Sequence, residues 1–223
     1  MSYYSLKNKY IFLHIPKNAG TAIKFALQNN DPTLRAFEDL DKKHRKSRDP
    51  AYGNHLPYWK IESLVNSADG FGAIQDMKVF MVIRNPWERM VSLYHHRLRK
   101  LHWQVDGKPR NTPQDIACAQ RGFIPWLLGT PHQGDKVLTR VSQLSWAHDI
   151  AGNVRTTHTM RQEHMSDIWE GLCEELGLPK IHLKKANVGK GEAQAYKKFY
   201  DADSKAHISK YFADDIKAFG YEF

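Results

Sequence analysis

Two segments of this chain each pass from a short apolar run, through a tight turn, into a helix-forming stretch, and few folds accommodate that order twice. In the first, Tyr10-Ile11-Phe12-Leu13-His14-Ile15 is rich in β-branched and aromatic residues and ends at Pro16. Such a run reads as a buried strand. Lys17-Asn18-Ala19-Gly20 has turn chemistry, and Thr21 to Leu27 has helix-forming character with Ile23, Ala26 and Leu27 on one face. In the second, Lys78-Val79-Phe80-Met81-Val82-Ile83 is more continuously apolar and is expected near the centre of a sheet. It ends at Arg84-Asn85, and Pro86 suits the first position of a helix running to about Arg99. Repetition of strand, turn and helix predicts an α/β fold with a parallel sheet.

The remaining chain is read more coarsely. Residues 29 to 54 lack a period and read mainly as loop, Pro57 to about Ser67 as a helix, and Gln104 to Pro113 as a loop. Pro113 to Leu128 reads as helix in two pieces, broken near Gly122 and Pro125, and Val154 to Met160 as a strand. Asp167 to Leu176 has helical spacing and stops at Gly177. The last helix is expected from about Ser204 to Phe219.

At 223 residues, with 41% hydrophobic and 12% aromatic content, the chain suits one domain with one core. Its formal net charge of +9 favours anionic partners without choosing among them. The clusters at 41–48, Lys184-Lys185 and Lys197-Lys198 read, each alone, as solvated basic loops. Cys118 and Cys173 supply neither a disulfide framework nor metal-ligand spacing, which suits a reducing compartment. No signal-peptide stretch or apolar run of membrane-spanning length is seen, so the expected location is cytoplasmic.

The first turn has the mechanics of an anion cradle. Amides at a helix start and the helix dipole favour a bound phosphate. In His14-Ile15-Pro16-Lys17-Asn18-Ala19-Gly20-Thr21-Ala22, Gly20 permits close approach, Thr21 offers a hydroxyl and Lys17 a charge. The lysine precedes the glycine, so this is not a Walker A loop. By itself the segment fits an anion site and an ordinary βα turn equally well.

The segment resembles the donor-binding loop of sulfotransferases that use 3′-phosphoadenosine 5′-phosphosulfate (PAPS). The resemblance is strongest to the group containing heparan sulfate 2-O-sulfotransferase and the chondroitin and dermatan enzymes. It implies that Lys17 contacts the 5′-phosphosulfate, wrapped by Asn18, Ala19, Gly20, Thr21 and Ala22. It also implies a P-loop-like three-layer fold, a central parallel sheet flanked by helices. Arg84-Asn85-Pro86-Trp87-Glu88-Arg89-Met90-Val91-Ser92-Leu93-Tyr94 resembles the same family's second signature, in which the first arginine and the serine bind the 3′-phosphate. An arginine at a strand end can fork onto phosphate oxygens. Ser92 lies about two turns along the following helix. Arg89 and Glu88 read as structural, and Trp87 and Met90 as core. Asn187 to Gly191 resembles the stretch that closes over the donor nucleotide, with Lys190 either at the 3′-phosphate or exposed in a loop. Ser142 to Trp146, Met160 to Met165 and Tyr211 to Tyr221 also resemble family segments.

Sulfuryl transfer needs in-line geometry, stabilisation of the leaving group and help in removing the acceptor proton. Lys17 can neutralise charge on the bridging oxygen. No metal is expected, and the adjacent pair His95-His96 does not converge on one ion. For the base, His55 stands in Tyr52-Gly53-Asn54-His55-Leu56-Pro57-Tyr58, similar to the family's G-H-x-x-[FY] context but with Asn54 inserted. A structural role for His55 is the alternative; His14 reads as packed in the core, and His44 is a reserve candidate. The expected acceptor is a hydroxyl, with carbohydrate ahead of a small metabolite or lipid-linked sugar, and no nucleic acid partner is expected. Trp59, Trp103, Trp126 and Trp146 suit sugar stacking or core filling alike. Rival readings are a P-loop nucleotide phosphotransferase and a polyanion binder. The first lacks its Walker lysine and magnesium aspartate; the second does not explain sharp motifs at βα turns.

Overall fold

A computed structural model describes residues 1–40, 55–66, 74–102, 104–105, 108–109, 111–129, 138–183 and 194–223. The chain divides into two compact units, Met1–Arg84 with Gln143–Lys190, and Asn85–Ser142 with Gly191–Phe223.

The first unit is built on a five-stranded sheet of β1 (Tyr3–Ser5), β2 (Tyr10–Leu13), β3 (Arg35–Ala36), β4 (Lys78–Ile83) and β7 (His158–Arg161), in the order β3-β1-β2-β4-β7. β2, β4 and β7 run parallel, aligning Phe12 with Phe80 and Val82 with Met160. The expected α/β class with a parallel core therefore holds. What the sequence reading omitted is β1, which pairs antiparallel with β2 and β3 and makes the sheet mixed. β2 and β4 are buried along nearly their whole length, as expected of strands covered on both faces.

On one face, Tyr10, Phe12, Phe80, Val82 and Met160 meet Ile23 and Leu27 of α1 (Gly20–Asn30) and Trp169 and Leu172 of the helix Met165–Glu175. Stacked rings of Phe12 and Phe80, 5.0 Å apart, lie at its centre. The same unit holds α2 (Tyr58–Asn66), which buries Tyr58, Ile61 and Val65. β7 starts later than Val154 because Val154 instead makes an isolated bridge to His148. Thr157 then bonds both backbone groups of Val79, and the ladder begins at His158.

The second unit is helical: α3 (Pro86–Arg99), α4 (Pro113–Gln120), α5 (Phe123–Leu128), then, after α6 of the first unit (Met165–Glu175), α7 (Ala202–Tyr211) and α8 (Ala213–Phe219). Pro86 opens α3, and the Asn85 side chain accepts from the Trp87 and Glu88 amides. Trp87 and Met90 are core, as expected, and Arg89 is buried, donating to the Leu138 carbonyl beside the Phe212 ring. The segment read as a loop from Gln104 contains two short antiparallel strands, β5 (Gln104–Val105) and β6 (Lys108–Pro109). The single terminal helix of the sequence reading is two helices that meet at Phe212.

Candidate active site

Everything the first motif needs is set by the exit from β2. Lys17 and Ala19 both adopt left-handed backbone, with φ of 73° and 56°, although neither is glycine. Such conformations are uncommon for non-glycine residues and concentrate where the surrounding structure over-determines them. Alternating backbone handedness of this kind gathers amides into an anion-binding concavity. Ala19 caps α1 and, being alanine, offers no side-chain acceptor to the amides of the helix start. Lys17 is half-buried and Thr21 exposed.

Gly20 has a different reason to be glycine from the one its motif suggests. A Cβ at this position would lie 2.0 Å from the His14 ring. That ring is buried, stacks on Phe12, and has its Nδ1 3.0 Å from the Met1 carbonyl oxygen. Burial first, then the neighbouring His55, lowers the His14 pKa from 6.5 to about 2, so it stays neutral. His14 is thus the packed residue that the sequence suggested.

His55 sits against His14 with ring centroids 4.6 Å apart, edge to face. Two groups approach its Nδ1, the His14 carbonyl oxygen at 2.9 Å and the Met1 main-chain nitrogen at 3.2 Å. The carbonyl oxygen only accepts and favours a proton on Nδ1 with the lone pair on Nε2, whereas the Met1 ammonium only donates and favours the opposite tautomer. His14 thus touches both His55 and Gly20, the first residue of α1.

Arg84 leaves the end of β4 and donates from Nη1 to the Lys17 carbonyl at 3.2 Å. This bond brings the two motif residues together across 67 positions of sequence. Asn18, only 1% exposed, turns its side chain inward. Its Nδ2 donates to the Val82 carbonyl at 2.8 Å and to Gln143 Oε1 at 2.6 Å. The side chain thus braces the turn, leaving its backbone for the anion role that the resemblance implies. In the sequence Gln143 stands out only as part of a family-like segment, yet it contacts both motifs. Ser92 belongs to the second unit, where it is half-buried on α3. Lys190, Trp103 and the basic residues 41–48 lie outside the described residues. Trp126 and Trp146 are core, whereas Trp59 is 36% exposed.

Among the described residues, no three His, Cys, Asp or Glu side chains converge as a metal site. Nor, among them, is any helix long and apolar enough to cross a membrane. The sequence pattern of the sulfotransferase family matches residues 3–222. The chain belongs to the sulfotransferase family. In fold, this sulfotransferase is similar to a crystal structure of the mouse sulfotransferase SULT7A1 complexed with PAP, the desulfated product of PAPS. The TM-score is 0.50 at 12% identity, covering 95% of this chain and 86% of that one. No curated protein matched the sulfotransferase in sequence.

Proposed function

We propose that this enzyme transfers a sulfuryl group from PAPS to a hydroxyl, most naturally on a carbohydrate, and that the whole chain acts as one sulfotransferase domain. The observation that carries the reading is the strained turn Lys17-Asn18-Ala19, at an α1 start with no side-chain cap and joined to Arg84 through the Lys17 carbonyl. This cradle fits an anionic donor. Two successive motifs of the family's donor site meet in it, and the family match extends over residues 3–222.

PAPS supplies an activated sulfuryl group on a phosphosulfate anhydride. Lys17, with the amides from Asn18 to Ala22 and the Thr21 hydroxyl, holds the 5′-phosphosulfate and stabilises charge as the bridging oxygen leaves. Arg84 forks onto the 3′-phosphate, with Ser92 and Lys190 as further donors to it; the last two roles rest on the motif resemblance alone. His55 Nε2 takes the acceptor's hydroxyl proton as the acceptor oxygen bonds to sulfur. The products are a sulfate ester, PAP and the proton. The carbohydrate acceptor follows from the resemblance to glycan-modifying enzymes, and exposed Trp59, at the start of the helix that follows His55, suits stacking on a sugar. Cytoplasmic residence is part of the reading, on the ground of two free cysteines.

Transfer of radiolabelled sulfate from PAPS across a panel of glycan and small-molecule hydroxyls tests the reading and names the acceptor. His55→Ala should lower kcat by about 10²- to 10⁴-fold while PAP still binds. Undiminished transfer by that variant would remove His55 as the base.

A further inference from the structure

Gln143 is fully buried, and three hydrogen bonds of its side chain go to the two donor motifs. Its Oε1 accepts from the Arg84 amide at 3.0 Å, and its Nε2 donates to the Arg84 carbonyl at 2.8 Å. A side-chain amide here satisfies both backbone groups of one residue, the pairing a neighbouring strand would otherwise give. The same Oε1 accepts from Asn18 Nδ2 at 2.6 Å, one residue beyond the strained Lys17. The turn that carries Lys17 and the strand end that carries Arg84 thus share one buried side chain.

An apolar residue would fill this space without tying the Arg84 backbone to the Asn18 side chain. Core filling alone also gives no reason for one oxygen to accept from both motifs. We infer that Gln143 is a positioning residue for the donor. It fixes the spacing between the Lys17 turn and Arg84, and so favours a nucleotide carrying both 5′- and 3′-phosphates over one carrying the 5′-phosphate alone. The inference rests on the donor roles proposed above for Lys17 and Arg84.

Calorimetric titration of the whole chain with adenosine 3′,5′-bisphosphate and with adenosine 5′-monophosphate tests it. The decisive quantity is the ratio of the two affinities, because a simple loss of folded protein leaves that ratio unchanged. Gln143→Met keeps the volume but removes all three bonds. It should lower the preference for the bisphosphate about tenfold to a hundredfold, the range seen when a partner that orients a binding group is lost or the group is misplaced by about 1 Å. Affinity for the monophosphate should change much less. An unchanged ratio in folded Gln143→Met overturns the inference. Should that variant not fold, Asn18→Ser removes the Asn18–Gln143 bond with Gln143 intact, and the same ratio decides. Absence of bisphosphate binding by the wild-type protein is a distinct result, because it overturns the donor reading itself.

Discussion

At the residue scale, the most constrained atoms around the candidate site belong to His14 and Gly20. With a Cβ 2.0 Å from a buried ring, Gly20→Ala must displace His14 or the start of α1. We expect a loss of about 2–3 kcal/mol in urea unfolding. His14 also predicts a pH dependence. Its folded pKa, about 2, lies below the ordinary 6.5, so the unfolded chain takes up the proton first as pH falls. The stability it contributes is complete above about pH 6.5 and is lost progressively toward pH 2. Between pH 7.5 and pH 5, wild type should lose about 2 kcal/mol more than His14→Gln, at roughly 1.4 kcal/mol per pH unit below 6.5. Equal losses in the two proteins would contradict the buried neutral imidazole. Lys17→Ala should cut kcat about 10²- to 10³-fold, as removal of a group stabilising the leaving oxygen does.

At the scale of elements, Asp31 joins the β1–β2 hairpin to the end of α1. Its carboxylate accepts from Tyr10 Oη at 2.6 Å, Asn8 Nδ2 at 3.0 Å and the Thr33 amide at 2.9 Å. Burial by itself would raise its pKa, but the bonds from Thr33, Tyr10 and Asn8 outweigh that and hold it below the ordinary carboxylate value. Asp31→Ala leaves the buried Tyr10 hydroxyl without this acceptor and should cost about 2–4 kcal/mol, measured by chemical unfolding. Two element boundaries show what a local pattern conveys. The sequence between β5 and β6 is Asp106-Gly107, a strong hairpin signal within a segment that otherwise has the composition of a loop. The break at Phe212 is likewise written in Asp214 and Asp215, acids that favour the first turn of a new helix over a helix interior.

For the whole molecule, a net charge of +9 agrees with an anionic donor but selects no particular one. Binding of PAP to the native state alone should raise the unfolding temperature. At a ligand concentration a hundredfold above Kd the gain is about 2.7 kcal/mol, or roughly 5–10 °C for a chain of this length. No shift at millimolar PAP, in a differential scanning measurement, would count against the donor assignment.

The parallel strands β2 and β4, the turns that follow them and the helices after those turns are legible in the sequence alone. These are legible because burial on both faces, turn chemistry and helix starts are written in contiguous residues. The antiparallel β1 was not, since three residues carry too little pattern to announce a strand. Tertiary packing sets the rest: His14 makes Gly20 obligatory, Lys17 and Ala19 take left-handed backbone, and Gln143 ties Asn18 to Arg84. Those contacts join residues 59 and 125 positions apart, and no local periodicity encodes which partner a buried amide will find.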